Sequence, residues 1–341
     1  MALELAASRQ SKAIVTRAVD NQWRMEEVTL RAVGSDELLV RVAASGICHT
    51  DLKVGKRPQH SDRILGHEGA GHVLAVGTNI TVARAGDPVI LSFASCRTCR
   101  SCKTGHPAYC RDIVGQNFKS VDGIFSVGET SVGGSFFGQS SFSNLTIVKE
   151  SCVVNVSSLV RDESELGLFA PLACGFQTGC GTVIRLANAS EEDSICVLGL
   201  GNVGLAAIMA AKIKRCSTII GVDRVVSRLH LAQELGATHV IDTTNATETY
   251  LRDQVKEITQ GQGATITVDT TGHIPLIQQC LSFTSNLGKL ILVASPEGDG
   301  KWELHIPNFV ATGIQIMGSI EGDAEPTKVN ISYHSSHDLF L

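Results

Sequence analysis

The chain has few aromatic residues, few prolines and no excess of positive charge. Aromatic residues make up 5% of the 341 residues, and 8 residues are proline, whereas 33 are glycine. This composition favours an α/β protein with tight turns between strands and helices. The formal net charge of −5 provides no basic face, which argues against nucleic acid as a partner.

The sequence also lacks long apolar segments and an export signal. The longest apolar segment, 195–211, is interrupted by glycines and Asn202, so it is too short and too polar for a membrane span. The N-terminal residues MALELAASRQSKAIV have no apolar signal-peptide core. Eleven cysteines without such a signal indicate thiols and metal ligands rather than disulfides. We therefore expect a cytoplasmic protein with no membrane partner.

The two parts of the chain differ in their pattern. The length predicts two domains, and the first 150 residues contain short strands separated by glycine, such as Glu37–Val42, His72–Ala75 and Pro88–Phe93. Short strands separated by glycine are typical of irregular β structure with long loops. From about Ser190, short apolar strands such as Thr218–Val222 alternate with helical segments such as Arg224–Leu235, which Gly236 would cap. This alternation predicts a parallel sheet covered by helices.

Four cysteines lie within one short segment, at Cys96, Cys99, Cys102 and Cys110. Their spacing allows four thiolates to bind one ion and leaves no open position for a substrate. A ferredoxin-type iron–sulfur cluster is the competing interpretation, but that motif needs a shorter last interval and a proline where this chain has Arg111. The sequence therefore predicts a structural zinc in a lobe covering about residues 94–112.

A glycine-rich turn follows the first strand of the alternating region. It fits the G-x-G-x-x-G pattern, in which the glycines permit a tight turn, close approach of a pyrophosphate and packing of helix on strand. Asp223 ends the next strand and suits the ribose hydroxyls of NAD, although Arg224 and Arg228 keep NADP open. The predicted nucleotide-binding residues here are Gly199, Gly201, Asn202, Val203, Gly204, Asp223 and Arg228.

A further pair of potential metal ligands, Cys48 and His67, lies outside the cysteine lobe. Each residue alone is more often packing than a ligand. However, the segment 66–80 reads G-H-E-x2-G-x5-G-x2-I. This segment, the Cys48 loop, the cysteine lobe and the nucleotide motif resemble, in order and spacing, the zinc-containing medium-chain alcohol dehydrogenase family. The resemblance covers residues 10 to about 322 and is nearest to the benzyl- and aryl-alcohol branch.

The resemblance implies an α/β fold of two domains. A GroES-like catalytic domain of irregular β structure would occupy residues 1–160. A Rossmann domain with a doubly wound parallel sheet would occupy residues 161–320. A short atypical tail, 321–341, would replace the family's return to the catalytic domain.

The resemblance also implies a catalytic zinc, making two zinc ions per subunit. Its ligands would be Cys48, His67 and Cys174, with the fourth position open, as Lewis-acid chemistry requires. Glu68 and Asp51 match acids that lie behind these ligands in the family. Asp51 would orient the His67 imidazole.

The implied reaction is hydride transfer between an alcohol and NAD, which gives an aldehyde or ketone. Thr50 matches the family's hydroxyl relay, His49 the pyrophosphate contact and Thr178 the residue against the nicotinamide ring. Thr50 could instead cap a loop, and Thr178 could simply begin a helix. The substrate would be a small molecule, and the family's members imply a homodimer or homotetramer.

The sequence departs from the family at two places. Lys53 stands where many members have the histidine that ends the proton relay. Beyond Gly318–Asp323 the sequence no longer follows the family, so the alternative is a truncated member that binds zinc and nucleotide with impaired turnover.

The segment FFGQSSF, 136–142, resembles the aryl-alcohol branch, and Phe93 matches a wall of its substrate cleft. A pocket lined by phenylalanine suits an aromatic or allylic primary alcohol. These side chains could equally fill the core.

Overall fold

The computed structural model describes residues 8–247, 249–296 and 300–325. The chain divides into two compact units, the first ending at Cys174 and the second running from Gly175 to Ala324. Residues 161–174, which we expected in the nucleotide-binding domain, pack with the first unit, where Phe169 and Ala170 join its core. Residues 326–341 of the expected atypical tail lie outside the described residues. In the described part of the chain, no helix is long and apolar enough to cross a membrane.

The first unit is built mainly from short strands. Its strands are β1 (Arg9–Thr16), β2 (Trp23–Leu30), β3 (Glu37–Gly46), β4 (Arg63–Ile64), β5 (Glu68–Val76), β6 (Pro88–Leu91), β7 (Val121–Val127), β8 (Thr130–Gly134), β9 (Leu145–Lys149) and β10 (Val153–Asn155). Strands β1, β2, β7, β8 and β4 close a barrel, and the others form a sheet in the order β10-β6-β5-β3-β9. The irregular β domain expected from the sequence is confirmed.

The glycines of the 66–80 segment are needed for strand packing. At Gly71, a Cβ atom would lie 2.1 Å from the carbonyl oxygen of Arg41 on the neighbouring strand β3. Gly66 has φ of +89°, and a Cβ there would lie 2.4 Å from the backbone nitrogen of Phe142. Only glycine fits such close backbone approaches. These glycines therefore fix the course of the chain on both sides of His67.

The described part of the first unit also contains four short α-helices: α1 (His49–Lys56), α2 (Arg100–Lys103), α3 (Ile113–Asn117) and α4 (Glu163–Leu168). The first begins in a capping box, because the Cys48 sulfur accepts from the Thr50 backbone N–H while Asp51 accepts from the Cys48 backbone N–H. Such reciprocal bonds satisfy the free donors of a helix start. The same two side chains, Cys48 and Asp51, belong to the candidate site described below.

The second unit alternates strands and helices. Its strands are β11 (Ser194–Leu198), β12 (Thr218–Asp223), β13 (His239–Asp242), β14 (Ala264–Asp269), β15 (Thr284–Leu292) and β16 (Gln315–Gly318). Its α-helices are α5 (Gly175–Gly181), α6 (Asn202–Ile213), α7 (Val226–Leu235), α8 (Tyr250–Ile258), α9 (Ile274–Phe283) and α10 (Ile306–Thr312). The strands are parallel in the order β13-β12-β11-β14-β15-β16. The predicted parallel sheet is confirmed.

The strand order reverses at β11, which lies between β12 and β14. In sheets of this kind, ligands bind beyond the carboxyl ends of the strands at the point of reversal. The glycine-rich turn follows β11 at that point. Helix α7 begins at Val226 rather than at Arg224, because Asp223 Oδ1 accepts from the backbone N–H groups of Arg224 and Val225 and holds them in a turn.

Candidate active site

Four potential metal ligands from three separate parts of the sequence meet in the first unit. The donor atoms of Cys48, His67, Glu68 and Cys174 all lie within 4.8 Å of one another. His67 is buried, and its Nε2 lies 3.4 Å from the Cys174 sulfur. Tetrahedral zinc, with metal–ligand distances of about 2.0–2.3 Å, places its ligands about 3.3–3.8 Å apart. The donor set therefore fits zinc.

The Asp51 carboxylate makes hydrogen-bond contacts with two of these residues, Cys48 and His67. Its Oδ1 accepts from the Gly66 backbone N–H at 3.0 Å and lies 2.9 Å from His67 Nδ1. Its Oδ2 accepts from the Cys48 backbone N–H at 3.0 Å. A carboxylate that accepts a hydrogen bond from Nδ1–H favours the neutral tautomer with its lone pair on Nε2, which is the tautomer a metal needs. Asp51 thus orients the imidazole and the Cys48 loop together.

Burial and hydrogen bonds within the group change the pKa values of its members. A hydrogen bond with Cys174, helped by His67, outweighs burial and lowers the pKa of the Cys48 thiol to about 3. Burial disfavours a charged His67, but hydrogen bonds with Asp51 and Cys48 outweigh it and raise its pKa well above the ordinary value. Burial raises the pKa of Glu68 to about 7. Thiolate at Cys48 is the form that binds a metal.

Glu68 lies closer to the donor atoms than the sequence suggested. We expected it behind the metal ligands, whereas its carboxylate belongs to the same 4.8 Å group as the cysteine sulfurs. Its position follows from strand β5, which begins at Glu68 directly after His67. The carboxylate is therefore placed to bind the metal directly or to hydrogen-bond a ligand of the metal.

Aromatic rings surround the His67 imidazole. The Phe137 ring is stacked on it with centroids 4.5 Å apart, and the Phe136 ring meets its edge at 5.6 Å. Gln139, which is fully buried, donates from Nε2 to the His67 carbonyl at 2.9 Å. Sequence reasoning missed these contacts with His67, because no local pattern joins residues about 70 positions apart. Phe93, Phe136 and Phe137 are all buried.

The cysteine lobe forms a second donor group. The sulfurs of Cys96, Cys99, Cys102 and Cys110 lie within 4.8 Å of one another. The Cys102 sulfur is 3.9 Å from that of Cys96 and 3.5 Å from that of Cys99. Tetrahedral zinc–thiolate bonds of about 2.3 Å require separations of about 3.8 Å. The group therefore fits a zinc ion with four sulfur ligands.

Backbone N–H groups also point at these sulfurs. Cys96 Sγ accepts from the Cys99 backbone N–H at 3.4 Å, and Cys99 Sγ accepts from that of Arg111 at 3.5 Å. A hydrogen bond from Thr98 is the largest effect that lowers the pKa of the Cys96 thiol to about 6. Burial raises the pKa of Cys102 to about 12. Donors of this kind favour thiolates, as a structural metal site requires.

The nucleotide motif is formed within the second unit. Gly199 has φ of +85°, and a Cβ at Gly204 would lie 1.8 Å from the Gly199 carbonyl oxygen. Gly201 precedes α6, whose first residues are Asn202 and Val203, so the helix N-terminus opens at the turn. Free N–H groups at a helix start favour phosphate. The turn has the geometry that the motif predicts.

Asp223 is tied to this turn. Its Oδ2 accepts from the Leu200 backbone N–H at 2.6 Å and lies 3.7 Å from Arg228 Nη1. Burial acts to raise its pKa, but hydrogen bonds from Leu200, Val225 and Arg224 outweigh burial and lower it. A fixed, ionised carboxylate at this strand end suits ribose hydroxyls.

The remaining predicted residues are placed on helices. His49, which is exposed, Thr50 and Lys53 lie on α1, directly after Cys48. Thr178 is buried on α5, and its carbonyl oxygen accepts from Thr182 Oγ1 at 2.7 Å. Thr178 belongs to the second unit and the other three residues to the first.

Comparisons with known proteins agree with this geometry. The profile of the alcohol dehydrogenase GroES-like domain matches residues 34–158, and that of the zinc-binding dehydrogenase matches residues 202–332. A Pseudomonas sp protein named Probable alcohol dehydrogenase is 38% identical over 290 residues, which are 83% of this chain and 90% of the relative. Geraniol dehydrogenase of Castellaniella defragrans is 34% identical over 324 residues, 93% of this chain and 85% of the relative.

A solved structure of an alcohol dehydrogenase is also similar to this chain. The crystal structure of benzyl alcohol dehydrogenase from Acinetobacter calcoaceticus aligns with a TM-score of 0.86 and 36% identity, covering 94% of this chain and 86% of that chain. Both profiles, the two relatives and this structure are of alcohol dehydrogenases or their domains. The chain is therefore an alcohol oxidoreductase that belongs to the zinc-containing medium-chain alcohol dehydrogenase family.

Proposed function

We propose that this enzyme transfers a hydride between a primary alcohol, aromatic or allylic, and NAD at a zinc held by Cys48, His67 and Cys174. The observation that carries the proposal is the convergence of these donor atoms, with Glu68, within 4.8 Å. Three protein ligands with an open position distinguish a catalytic zinc from the closed four-sulfur site of the lobe. The enzyme would thus hold two zinc ions per subunit.

The protein groups have separate tasks in this proposal. When bound, zinc supplies Lewis-acid chemistry that lowers the pKa of an alcohol oxygen. Cys48 and Cys174 provide thiolate charge, and Asp51 keeps the His67 lone pair on Nε2. Thr50 accepts the alcohol proton and passes it on toward the cofactor ribose. Lys53 lies on the same helix as Thr50, where many family members place the next proton acceptor.

NAD is the proposed cofactor because of the charge at the nucleotide turn. The ionised Asp223 carboxylate accepts ribose hydroxyl groups and repels the 2′-phosphate of NADP. Arg228, whose guanidinium is 3.7 Å from Asp223, is already engaged by that carboxylate. His49 would contact the pyrophosphate, and Thr178 the nicotinamide ring.

The substrate class rests on the relatives. Benzyl alcohol and geraniol each carry a CH2OH group beside an unsaturated carbon. The alignments with the proteins named for them cover 94% and 93% of this chain. That shared chemistry supports an aromatic or allylic primary alcohol here. None of the eleven cysteines is in a disulfide, which supports a cytoplasmic location.

A homo-oligomer is also part of the proposal. On α10, Ile306 is 59% exposed and Val310 is 74% exposed. Large apolar side chains grouped on an exposed helix favour burial against another subunit. Analytical ultracentrifugation of the full chain should give a dimer or tetramer, and a monomer at micromolar concentration would remove this part of the proposal.

The function is tested by metal analysis combined with an alcohol panel. Purified enzyme should contain two zinc ions per chain and should produce NADH, seen at 340 nm, from benzyl alcohol and geraniol. Simple saturated alcohols such as ethanol serve as the matched comparison and should react more slowly. Zinc-loaded protein that reduces NAD with no alcohol of the panel contradicts the proposal.

A further inference from the structure

We propose that Phe137 is a positioning residue for His67, and that residues 135–140, here called the clamp loop, hold its ring against the imidazole. The inference rests on the proposed function, in which His67 is a zinc ligand. The Phe137 and His67 rings are stacked with centroids 4.5 Å apart and planes inclined by 26°. Phe136 meets the imidazole edge at 85° and 5.6 Å.

The stacked ring supplies a constraint that Asp51 does not. The Asp51 hydrogen bond fixes His67 Nδ1 at one point, 2.9 Å away, which leaves the imidazole free to rock about that contact. A flat ring on one face and a ring edge on another remove this freedom, because aromatic contacts have preferred geometries. The direction of Nε2 toward the two cysteine sulfurs is then set by all three neighbours.

The backbone of the clamp loop adopts left-handed conformations at three residues other than glycine. Ser135, Phe137, Gly138 and Ser140 all have positive φ, with 51° at Phe137. Left-handed conformations are rare for bulky residues and persist only where the surroundings impose them. Such strain is concentrated at functional sites. Here it accompanies the ring that lies on a predicted metal ligand.

Side-chain hydrogen bonds of the clamp loop reach the backbone on both sides of His67. Gln139 Nε2 donates to the carbonyl of His67 and lies 2.9 Å from that of Ser92, while its Oε1 accepts from the Gly69 backbone N–H at 3.1 Å. Ser140 Oγ donates to the Ile64 carbonyl at 2.7 Å. The loop is therefore fastened to the chain on both sides of His67. These bonds keep the Phe137 ring and the His67 imidazole in a fixed relative position.

Phe118 provides a matched control within the same aromatic cluster. Its ring lies 5.0 Å from that of Phe137 and 6.2 Å from that of Phe136. The ring contacts described for Phe118 are with these two phenylalanines, whereas those of Phe137 include the imidazole. Truncating Phe118 disturbs the aromatic cluster but leaves the Phe137 ring stacked on the His67 imidazole.

The experiment measures zinc release from the full-length, zinc-loaded enzyme into a chelating dye for F137L, F137G, F137Y and F118L. Supporting groups behind metal ligands change metal affinity by about 10- to 100-fold, so F137L and F137G should release one of the two zinc ions at least about 10-fold faster. The lobe zinc should leave at the parental rate and reports that the fold is intact. F137Y keeps the ring and should behave like the parent.

A second measurement records the visible absorption of the Co²⁺-substituted proteins. The bands depend on ligand geometry, so they should shift in F137L and F137G and remain parental in F118L. If F137L does not fold, F137G carries the test, because glycine adopts the left-handed conformation without strain.

Three outcomes overturn the inference. Parental release and parental cobalt spectra in F137L and F137G show that the ring does not position His67. Acceleration in F118L as large as in F137L indicates general packing instead of stacking. A parent enzyme that holds zinc only in the lobe removes both the inference and the proposed function, whereas two zinc ions with no effect of F137L remove the inference alone.

Discussion

The cysteine lobe and the His67 group contain similar donor atoms but are assembled in different ways. The four sulfurs of the lobe come from 15 consecutive residues, 96–110. The donors around His67 come from a helix start at Cys48, a strand start at Glu68 and a short turn ending at Cys174. The lobe can therefore form from local chain geometry, whereas the His67 group exists only when the first unit is folded.

This difference assigns separate contributions to the two sites. A site with four sulfur ligands leaves the metal no reactive position, so its metal contributes to folding. In the proposed function, a site with three ligands, positioned by Asp51 and the clamp loop, would keep a position for substrate. Changes in the lobe should therefore alter stability, and changes around His67 should alter turnover and metal affinity.

The largest expected effect is on turnover, from Cys174→Ser. Loss of the thiolate removes zinc from the His67 group, and Lewis-acid stabilisation of several kcal/mol corresponds to at least about a 1,000-fold loss in kcat. The variant should hold one zinc ion per chain and bind NAD like the parent. Metal analysis, NADH formation and fluorescence titration with NADH measure these properties.

Cys180→Ser is the control for that variant, because Cys180 is a buried cysteine outside both donor groups. It should retain both zinc ions. Parental turnover in Cys174→Ser would overturn the assignment of the three ligands.

The next effect is on stability, from Cys102→Ser in the lobe. Without its zinc the lobe loses the cross-link among four sulfurs, and a loss of about 3 kcal/mol lowers the melting temperature by roughly 6–12 °C in a unit of this size. Thermal unfolding and limited proteolysis near residues 94–112 measure this change. The variant should keep the other zinc ion, and an unchanged melting temperature would contradict a structural role for the lobe.

A smaller effect is expected from Asp51→Asn. The amide removes the charge that holds the His67 tautomer, so zinc affinity of the His67 group should fall by about 10- to 100-fold. Zinc release into a chelating dye measures the change. Asp36→Asn, an exposed acid bonded to Asn79, is the control, and equal release from both variants would remove the role given to Asp51.

A change at the nucleotide turn should have an effect of similar size on cofactor binding and should not affect either metal group. In Asp223→Ser, loss of a charged hydrogen-bond acceptor worth about 1.5–3 kcal/mol weakens NAD binding by roughly 10- to 100-fold and improves NADP binding. Titration with both cofactors measures the change. Asp242→Asn on the adjacent strand, opposite Asp223 in register, should bind NAD like the parent.

Local patterns predicted the elements of the second unit well. The strand expected at Thr218–Val222 is observed at Thr218–Asp223, and Gly236 ends α7 with φ of 126° as expected. Strand periodicity and glycine position are properties of short segments, so the sequence carries them directly. Helix α7 starts two residues later than expected, because Asp223 Oδ1 accepts hydrogen bonds from the backbone N–H groups of Arg224 and Val225.

Long-range contacts were less accessible from the sequence. The motif around His67 identified the residue, but not the clamp loop that packs on it from residues 135–140. Gln139 is an ordinary polar residue by sequence, yet its amide joins His67, Ser92 and Gly69 in the fold. Such partners depend on tertiary packing, which short-range patterns do not record.

The most direct test of the two-site account is chelator titration of the full enzyme, with zinc content, NADH formation from benzyl alcohol and thermal stability followed together. The account predicts that one zinc ion leaves first, that turnover falls in proportion to its loss and returns when zinc is restored, and that the melting temperature falls mainly with the second ion. Full turnover after loss of the first zinc ion, with stability lost instead, would contradict it.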